Sequence, residues 1–551
     1  MRNKKFLLLL LIVLLGYNLV NAQDDIKKEV KVVKPYEPIL SDAVKIYYMP
    51  EIEDTSALNT DFNYAITPTV MDAGFVPRPI SAAKMIGDPL PRLYKSHLKV
   101  GFGNYFTPLV ELSLHNLRSK TVSYGAIVNH TSSHGKIKLD NDEKVFAGYS
   151  NTGLNLFGKK IMKNSILEGD IDVFHKSVHY YGYNPDIDTT LEKDDILQSF
   201  INVGMGVGYK SAYTDSSHLN YSGNINYNYF TDINDNVENS IKLTVDMDKV
   251  IEKQDAGLNL SFQHLAPSSS IDSSSNSILG VSPWISRHSN DWRYQVGFNT
   301  YFDVAHGETK IHFSPRAQLQ FVVVENILVP YIGITGNYKA NNYRKIAMEN
   351  PFIVPNLHVK NTNEKIIAYV GLKGRYNKDI SFNIKASYSI IDDLYFYVND
   401  SNSVLENQFD VVYDNGEVTN IYADLSYTYS PQLSFTLKGN YYNYQLNDEK
   451  YAWHMPDFDM TFSSMYNLRN KIYVYSDIIG IGKRYVKRYS TGDNYKELPA
   501  NIDINLGFEY QYTRNLSAFL RLNNLLGSNY YFYNFYPSQG FNFMLGFTYS
   551  L

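Results

Sequence analysis

The chain contains no cysteine, and after its first residues it has no apolar run long enough for a helical membrane span. Without cysteine it can form no disulfide, use no thiol nucleophile and carry no lipid on an N-terminal cysteine. Its most apolar stretch, residues 321–334, is interrupted by Glu325, Asn326 and Pro330, which argues against helical spans. Charged residues make up only 19% and the net charge is −5, so nothing points to a nucleic-acid partner.

The N-terminus has the three parts of a secretory signal peptide. Residues 2–5 include three basic side chains, residues 6–15 are apolar, and residues 20–22 supply small side chains at the cleavage position. The apolar part is too short to span a membrane as a helix. We therefore predict a signal peptide over residues 1–22, cleaved before Gln23, and an exported protein.

Aromatic residues are abundant, and many runs alternate between apolar and polar side chains. The chain has 48 tyrosines and 29 phenylalanines. Residues two apart share a face of a strand, so each alternating run has one apolar and one polar face. This pattern suits a membrane β-barrel, with a secreted β-sandwich or propeller array as the rival interpretation. Clear examples are residues 219–229, 241–248 and 421–441.

The connections between these runs decide between barrel and sandwich, because short and long connections alternate from the C-terminus backward. Outer-membrane barrels have short periplasmic turns and long outer loops, whereas a sandwich has no reason to sort its loops in this way. The short turns are predicted at residues 377–379, 430–432, 468–470 and 513–515. The long connections are predicted at residues 340–362, 400–417, 447–454, 487–498 and 527–539.

The sequence thus predicts an all-β fold, a transmembrane antiparallel outer-membrane β-barrel over residues 93–551. Counting the alternating runs from Leu93 onward gives about 22 strands, which leaves each one the length that a tilted spanning strand needs, and 14–22 are possible if several runs pair within long outer loops. The preceding segment, residues 23–92, reads as Pro-rich, extended and periplasmic or lumenal, because eight prolines fall within residues 24–92. The last strand should end in the periplasm, where the Pro-rich segment would also begin.

The end of the chain resembles the final hairpin of TonB-dependent outer-membrane receptors, especially those of Bacteroidota. Two positions depart from that family's pattern: Phe541 stands where arginine is common, and the chain ends on Leu551 instead of phenylalanine. The resemblance implies a receptor-type barrel body. The matching positions are Asn524, Leu525, Tyr530, Tyr536, Pro537 and Gly540, followed by an alternating last strand.

In that last strand one face is bulky and apolar, and we expect it to contact outer-membrane lipid. Asn542, Thr548 and Ser550 should face the lumen instead. An alternating terminal strand with an apolar last residue also resembles the signal by which the barrel-assembly machinery recognises its clients. The predicted lipid-facing residues are Phe541, Phe543, Leu545, Phe547, Tyr549 and Leu551.

The segment before the barrel does not resemble the plug domain of that family, since it is shorter and lacks the Gly-rich alternating pattern. A closed sheet of about 22 strands encloses a lumen that is normally plugged. Three arrangements stay open: residues 34–54 could thread into the lumen as a strap, the Pro-rich segment could bind a periplasmic partner, or outer loops could fold inward.

No constellation of residues predicts chemistry. Histidines four apart on a strand, as in His130/His134 and His175/His179, lie about 13 Å from each other and cannot share a metal. No nucleophile elbow is present. Aromatic clusters at residues 180–183 and 530–533 are interpreted as part of the membrane-interface girdle, with sugar stacking as the alternative. We therefore predict no catalytic, metal-binding or cofactor-binding residues.

Three functions compete on the sequence. We favour a structural or accessory subunit of an outer-membrane assembly or export complex, in which residues 24–92 bind a periplasmic or outer-membrane protein partner. The alternative is uptake of a substrate across the outer membrane, either TonB-dependent or passive. An outer-membrane enzyme is the third. All three place the protein in the outer membrane of a Gram-negative cell.

Overall fold

The computed structural model describes residues 93–551 apart from a few short gaps. The predicted signal peptide and the Pro-rich segment lie outside the described residues. The gaps are residues 118, 188, 190–191, 214–216, 269, 272–274, 306, 325–326 and 489–494.

Twenty-two antiparallel strands form one continuous sheet, which confirms the predicted barrel and the strand number. Strands are numbered here along the chain, and three short hairpins in the connections take six of the numbers. The barrel strands are β1 (Ser96–Gly103), β2 (Thr107–His115), β3 (Val122–Ser133), β6 (Tyr149–Ile161), β7 (Ser165–His179), β8 (Leu197–Ser211), β9 (Asn220–Asp232), β10 (Val237–Ile251), β11 (Gln254–Pro267), β12 (Asn276–His288), β13 (Trp292–Ala305), β14 (Glu308–Phe321), β15 (Val329–Lys339), β16 (Thr362–Arg375), β17 (Ile380–Asn399), β18 (Phe409–Ser430), β19 (Leu433–Leu446), β20 (Phe458–Leu468), β21 (Ile472–Ile481), β24 (Asn501–Gln511), β25 (Leu516–Asn523) and β28 (Asn542–Ser550). The short hairpins are β4 (Lys136–Lys138) with β5 (Lys144–Phe146), β22 (Arg484–Lys487) with β23 (Tyr495–Leu498), and β26 (Tyr531–Tyr533) with β27 (Tyr536–Pro537).

The barrel closes between its first and last strands. β1 pairs with β2 on one side and with β28 on the other, from His97 opposite Ser550 to Gly103 opposite Met544. The terminal residue takes part, because the Leu551 amide donates to the Ser96 carbonyl at 3.0 Å. Closure removes the free strand edges that an open sheet would present.

The last strand shows the alternation that its sequence predicts. All six apolar residues from Phe541 to Leu551 are exposed, whereas Thr548 and Ser550 between them are buried. On the buried face, Ser550 Oγ lies 2.9 Å from His97 Nδ1, and Thr548 Oγ1 contacts Ser517 Oγ. The strand therefore has a bulky outer face and a polar inner face.

Most of the connections fall into two classes by side of the barrel, as predicted; the exceptions include residues 104–106, 233–236 and 306–307, which are short connections on the side that carries the long ones. On one side they are short, for example residues 162–164, 376–379, 431–432 and 469–471. The start of the first strand, Ser96, and the end of the last strand, Ser550, lie on this side because the strands alternate in direction. The long connections lie on the opposite side, which we call the long-loop side; they are residues 134–148, 180–196, 340–361, 400–408, 447–457, 482–500 and 524–541.

Two of the predicted long connections contain more regular structure than expected. The connection predicted at residues 400–417 is reduced to residues 400–408, because β18 begins at Phe409 and pairs with β17 as far as Asn399. The connection predicted at residues 487–498 includes most of the β22–β23 hairpin. Both additions lie beyond the part of the sheet that a membrane span requires.

One short helix, α1 (Tyr343–Glu349), lies in the connection between β15 and β16. The Asn342 side chain caps it by accepting from the Lys345 amide at 3.1 Å, which satisfies one of the free amides of the first turn. Across residues 93–551, the gaps excepted, no helix is long and apolar enough to cross a membrane.

Candidate functional site

The connection at residues 340–361, here called the crossing loop, reaches across the mouth of the barrel on the long-loop side. It leaves β15 and enters β16, yet its helix binds β9 and β10. The Tyr343 hydroxyl donates to Asp232 at 2.7 Å, and the Tyr343 amide donates to Glu238 at 2.8 Å. The other Glu238 oxygen accepts from the Asn342 side chain at 2.5 Å. Two buried carboxylates therefore hold the start of the helix against distant strands.

A buried cation holds the other end of the helix. Lys176 on β7 is only 6% exposed, and its ammonium donates to the Met348 carbonyl at 3.1 Å. A further bond joins Asn236, in the turn after β9, to the Pro355 carbonyl at 3.0 Å. Buried polar groups of this kind are stabilising only when they are hydrogen-bonded, so these contacts fix the position of the loop.

On its opposite flank the crossing loop is bound by β17, β18 and the last connection. Tyr395 donates to the Glu349 carboxylate at 2.6 Å, and Tyr533 donates to the Glu349 carbonyl at 3.2 Å. Phe409 exchanges backbone hydrogen bonds of 2.9 Å with residues 352 and 354 of the loop. The loop is therefore attached to the wall on both sides of the mouth.

An aromatic core surrounds these hydrogen bonds, and it is built from the long connections and the strand ends. Phe352 stacks on Tyr536 with ring centroids 3.9 Å apart, and Tyr181 contacts both rings. We call this assembly of long connections the loop cap. Its fully buried apolar side chains include Tyr343, Phe200, Phe230, Phe409, Ile346, Ile353 and Leu357.

Hydrogen bonds also join the other connections of the loop cap to one another. Tyr180 donates to the Ile353 carbonyl at 2.9 Å, Asn407 donates to the Tyr180 carbonyl at 3.2 Å, and Tyr536 donates to the Asn407 carbonyl. Arg484 donates to the Phe532 carbonyl at 3.1 Å. Five connections thus share these hydrogen bonds, so the loop cap is a single packed unit.

His454 lies at the centre of the loop cap in its neutral form. Its Nδ1 lies 2.9 Å from the Tyr397 carbonyl and must carry the proton, while Nε2 accepts from the Asn534 amide at 3.3 Å. Burial, together with the nearby Arg484, lowers the pKa of His454 from 6.5 to about 4. One ring nitrogen therefore binds the connection of His454 to β17, and the other binds it to the last connection.

The residues of the C-terminal motif have structural roles in the loop cap. Asn524 adopts the left-handed conformation, with φ of 49°, directly after β25. Its side chain donates to the carbonyls of Ser528 at 2.8 Å and Gln539 at 3.0 Å, and accepts from the Ser528 amide at 3.1 Å. Asn524 thereby joins the two ends of the last connection.

The other motif residues lie in the same connection. Tyr536 is 2% exposed within the aromatic core, and the Pro537 carbonyl accepts from Tyr181 at 2.9 Å. Tyr530 donates to Asp503 at 3.2 Å. The Leu525 amide donates to the Ile504 carbonyl at 2.9 Å. At Gly540 a Cβ would meet nothing nearer than 3.7 Å, so space does not explain the glycine.

Two interpretations of aromatic clusters are wrong. The clusters at residues 180–183 and 530–533 belong neither to a membrane-interface girdle nor to an open sugar platform. Tyr180 and Tyr183 are 7% and 2% exposed, and the Tyr533 hydroxyl binds the crossing loop. The sequence signal failed because a girdle and a buried loop core use the same residue types. The spacing of Tyr343, Ile346 and Ala347 in the crossing loop was the missed helical signal.

The paired histidines do not come together. His130 lies 2.8 Å from Thr152 and His134 packs on Phe106, while His175 lies 2.9 Å from Ser199. His179 lies 2.6 Å from the Gly148 carbonyl. Within the described part of the chain, no group of three or more histidine and acidic side chains could hold a metal ion.

Below the loop cap the inner wall is polar, and on three neighbouring strands its residues form a regular pattern. On β7, β8 and β9 three carboxylates, three glycines and three asparagines lie in register, so that each glycine has an acidic neighbour on one side and an amide on the other. The side-chain oxygens lean over the glycines. The triplets are Glu168, Asp170 and Asp172; Gly204, Gly206 and Gly208; and Asn224, Asn226 and Asn228.

Comparison with known proteins supports the fold. No protein-family profile and no curated protein sequence matches the chain. Solved structures do, and those named here are TonB-dependent receptors. The FrpB iron transporter from Neisseria meningitidis has a TM-score of 0.64 at 10% identity, over 84% of this chain and 82% of that one.

Two further structures give the same picture. A mutant ferric enterobactin receptor (PfeA) from Pseudomonas aeruginosa, in complex with enterobactin, has a TM-score of 0.62 at 12% identity, covering 83% of this chain and 82% of that one. The copper transporter OprC has a TM-score of 0.62 at 9% identity, covering 84% and 81%. At such identities the comparisons show that this chain has the barrel fold of those receptors.

Proposed function

We propose that this protein is a structural or accessory subunit of an outer-membrane assembly or export complex, with its barrel closed by its own loops instead of by a plug domain. The observation that carries the proposal is the crossing loop, whose helix is buried at Tyr343, Ile346 and Ala347 and bound to both sides of the mouth. An uptake receptor needs a way for its ligand to enter. Here the long-loop side is packed into a hydrogen-bonded core.

The proposed location is the outer membrane, and the barrel and the predicted signal peptide support it. A closed sheet of 22 strands with an exposed apolar outer face suits the outer membrane of a Gram-negative cell. In this orientation the long loops face outward, and residues 24–92 begin in the periplasm. That segment would bind the periplasmic or outer-membrane protein partner, and its prolines favour the extended conformation that such ligands use.

Substrate uptake is the second candidate, and the fold comparison favours it, since the similar structures carry the names of receptors and transporters. Those names also support a non-enzymatic role over an enzyme. The wall of carboxylates and asparagines on β7 to β9 would be the surface that a transported solute meets below the loop cap.

Purification from the native outer membrane distinguishes the two candidates. For an accessory subunit, the full chain co-purifies with the same protein partners in repeated preparations, and a variant lacking residues 24–92 reaches the membrane without them. A chain that purifies alone and conducts ions in planar bilayers contradicts the proposal. Loss of growth on one nutrient in a deletion strain, with no partner protein, favours uptake.

A further inference from the structure

The wall of the barrel is incompletely paired at one seam, between β14 and β15. β14 pairs with β13 along its whole length, from Trp292 opposite Phe321 to Ala305 opposite Glu308. With β15 it pairs only over Ala317–Gln320. Every residue of the three strands is described. The part of β14 toward the long-loop side, residues 308–316, therefore has no backbone partner in β15.

The crossing loop explains this local defect. A bulge between Thr335 and Asn337 shifts the register of β15, which stays paired with β16 as far as Lys339 opposite Thr362. The chain then enters the crossing loop and the mouth of the barrel. β15 thus follows β16 away from β14, and Pro315, which has no amide proton, lies close to the point of separation.

Side chains replace the backbone ladder on the inner face of the seam. Residues of β13 reach past β14 to β15: Asn299 donates to the Gly336 carbonyl at 2.8 Å, and Tyr301 donates to Asn337 at 3.1 Å. His312 of β14 stacks on Tyr338, with ring centroids 4.2 Å apart, and its buried Nε2 has no hydrogen-bond partner among the described residues. The seam is held from the inside only.

On the outer face, two apolar side chains of the unpaired part of β14 are more exposed to solvent than those of paired strands. Ile311 is 65% exposed and Phe313 is 66% exposed, compared with 54% for Ile225, an outward residue of the fully paired β9. Their apolar side chains alternate with Lys310, His312 and Ser314. This edge has the pattern of a membrane strand but has no strand paired with it, since β15 contacts it there through Gly336 at Ser314 and Tyr338 at His312 without a backbone ladder.

Unpaired backbone groups are costly in hydrocarbon, at several kcal/mol each. Lipid tails can cover Ile311 and Phe313, but they can neither donate nor accept a hydrogen bond. A β-strand does both, and it places alternate side chains on the two faces of the sheet. The chemistry of this edge therefore specifies a strand.

We propose that residues 308–316 of β14 form a docking edge for a β-strand of a partner outer-membrane protein, with apolar side chains facing lipid beside Ile311 and Phe313 and polar side chains beside His312. The inference rests on the proposed role as a subunit of an outer-membrane complex and specifies where that complex forms within the membrane. It is separate from the binding expected of residues 24–92.

Photo-crosslinking in the native outer membrane tests the docking edge. The photoreactive residue p-benzoylphenylalanine is placed at Ile311 or Phe313 of the full chain, and at Val207 and Ile225 as equally apolar, outward controls on fully paired strands. We expect adducts at least tenfold more abundant from the first two positions. Mass spectrometry should map them to residues two apart in one alternating segment of a single outer-membrane protein, as strand pairing requires.

Other adducts overturn the proposal: lipid alone, a second copy of this chain, or equal yield at the controls. A second variant keeps the test independent of crosslinking chemistry. Phe313→Lys should abolish co-purification of the crosslinked partner while Ile225→Lys retains it, with heat-modifiable migration confirming that both barrels are folded. If partners co-purify but neither result appears, the docking edge fails and the proposed function stands. If the full chain purifies alone, both fail.

Discussion

Tyr343 donates a 2.7 Å hydrogen bond to Asp232, and this bond joins residues 111 positions apart in the sequence. Tyr343 begins the helix of the crossing loop, and Asp232 ends β9. Asn236 donates two further hydrogen bonds to the same carboxylate, one from its backbone amide and one from its side chain, at 3.0 Å each. This contact attaches the helix of the crossing loop to strands far from β15 and β16, between which the loop runs.

Removing the Tyr343 hydroxyl should loosen the crossing loop. In Tyr343→Phe the ring stays buried, but Asp232 loses one donor, which costs about 1–3 kcal/mol for a buried charged acceptor. The peptide bonds after Arg344 and Lys345 lie within the helix and should then become accessible to trypsin. Cleavage in intact cells should be roughly tenfold faster than in the unmodified protein, since 1.4 kcal/mol is a factor of ten.

A matched control is Tyr376→Phe. Tyr376 is 72% exposed and lies in a short connection on the other side of the barrel. This variant should leave the cleavage rate unchanged. Equal rates for all three proteins would show that the Tyr343 bond does not hold the loop.

The loop cap should open more easily in acid because of His454. Burial holds the pKa of His454 near 4 in the folded state, below its ordinary value of 6.5. The opened state therefore binds the proton first, and the contribution of His454 to the free energy of opening is greatest above pH 6.5. It should fall by about 3 kcal/mol between pH 6.5 and 4, and no further below.

Hydrogen exchange of residues 447–457 across this pH range measures the effect. In His454→Gln the fall that His454 contributes between pH 6.5 and 4 should disappear after correction for intrinsic exchange, because glutamine does not titrate. Arg484 is the charged group near the ring, and its charge is constant over this range, so it adds no titration of its own. A variant with the same pH dependence as the unmodified protein would assign the effect to other groups.

Replacing Asn524 should lower the free energy of unfolding, for two separable reasons. Its left-handed backbone disfavours alanine, and its side chain holds Ser528 and Gln539. Asn524→Gly removes only the hydrogen bonds, whereas Asn524→Ala also strains the backbone by about 1–2 kcal/mol. Urea unfolding in detergent should rank the stabilities as unmodified protein, then Asn524→Gly, then Asn524→Ala. A reversed order of the two variants would refute the backbone contribution.

The sequence predicted the barrel well because alternation is a local signal. The alternation within a run such as residues 219–229 predicts which side chains share a face of the strand. The length of a connection predicts the side of the barrel on which it lies. The last strand was predicted residue by residue, and its six apolar positions are exposed. That these positions contact lipid stays a prediction.

The loop cap could not be predicted, because its contacts depend on distant partners. The end of β17 illustrates the reason. Phe396 and Val398 are buried on one face and Tyr395 and Tyr397 on the other, so no alternation marks this part as strand. The strand exists because it packs on Trp453 in another connection, which a local pattern does not report.

Two glycines of the wall are expected to be indispensable for space. Gly333 on β15 lies opposite Tyr369 on β16, and a Cβ on it would come within 2.4 Å of the tyrosine ring. The relation is reciprocal, since Tyr331 lies over Gly371 in the same way. Gly333→Ala should lower the free energy of unfolding by about 1–3 kcal/mol, as overpacking does.

The matched control is Gly158→Ala on β6, where a Cβ would have nothing within 4 Å. Urea unfolding in detergent compares the two variants directly. The prediction is contradicted by equal midpoints for Gly333→Ala and Gly158→Ala.

Closure of the barrel by its own crossing loop is tested most directly by single-channel conductance in planar bilayers. The full chain is compared with a variant in which residues 341–360 are replaced by a short Gly-Ser linker. A lumen of 22 strands is wide when open. We predict no stable channels from the full chain and large, long-lived channels from the variant. Equal conductance of the two proteins, whether open or closed, would contradict closure by the crossing loop.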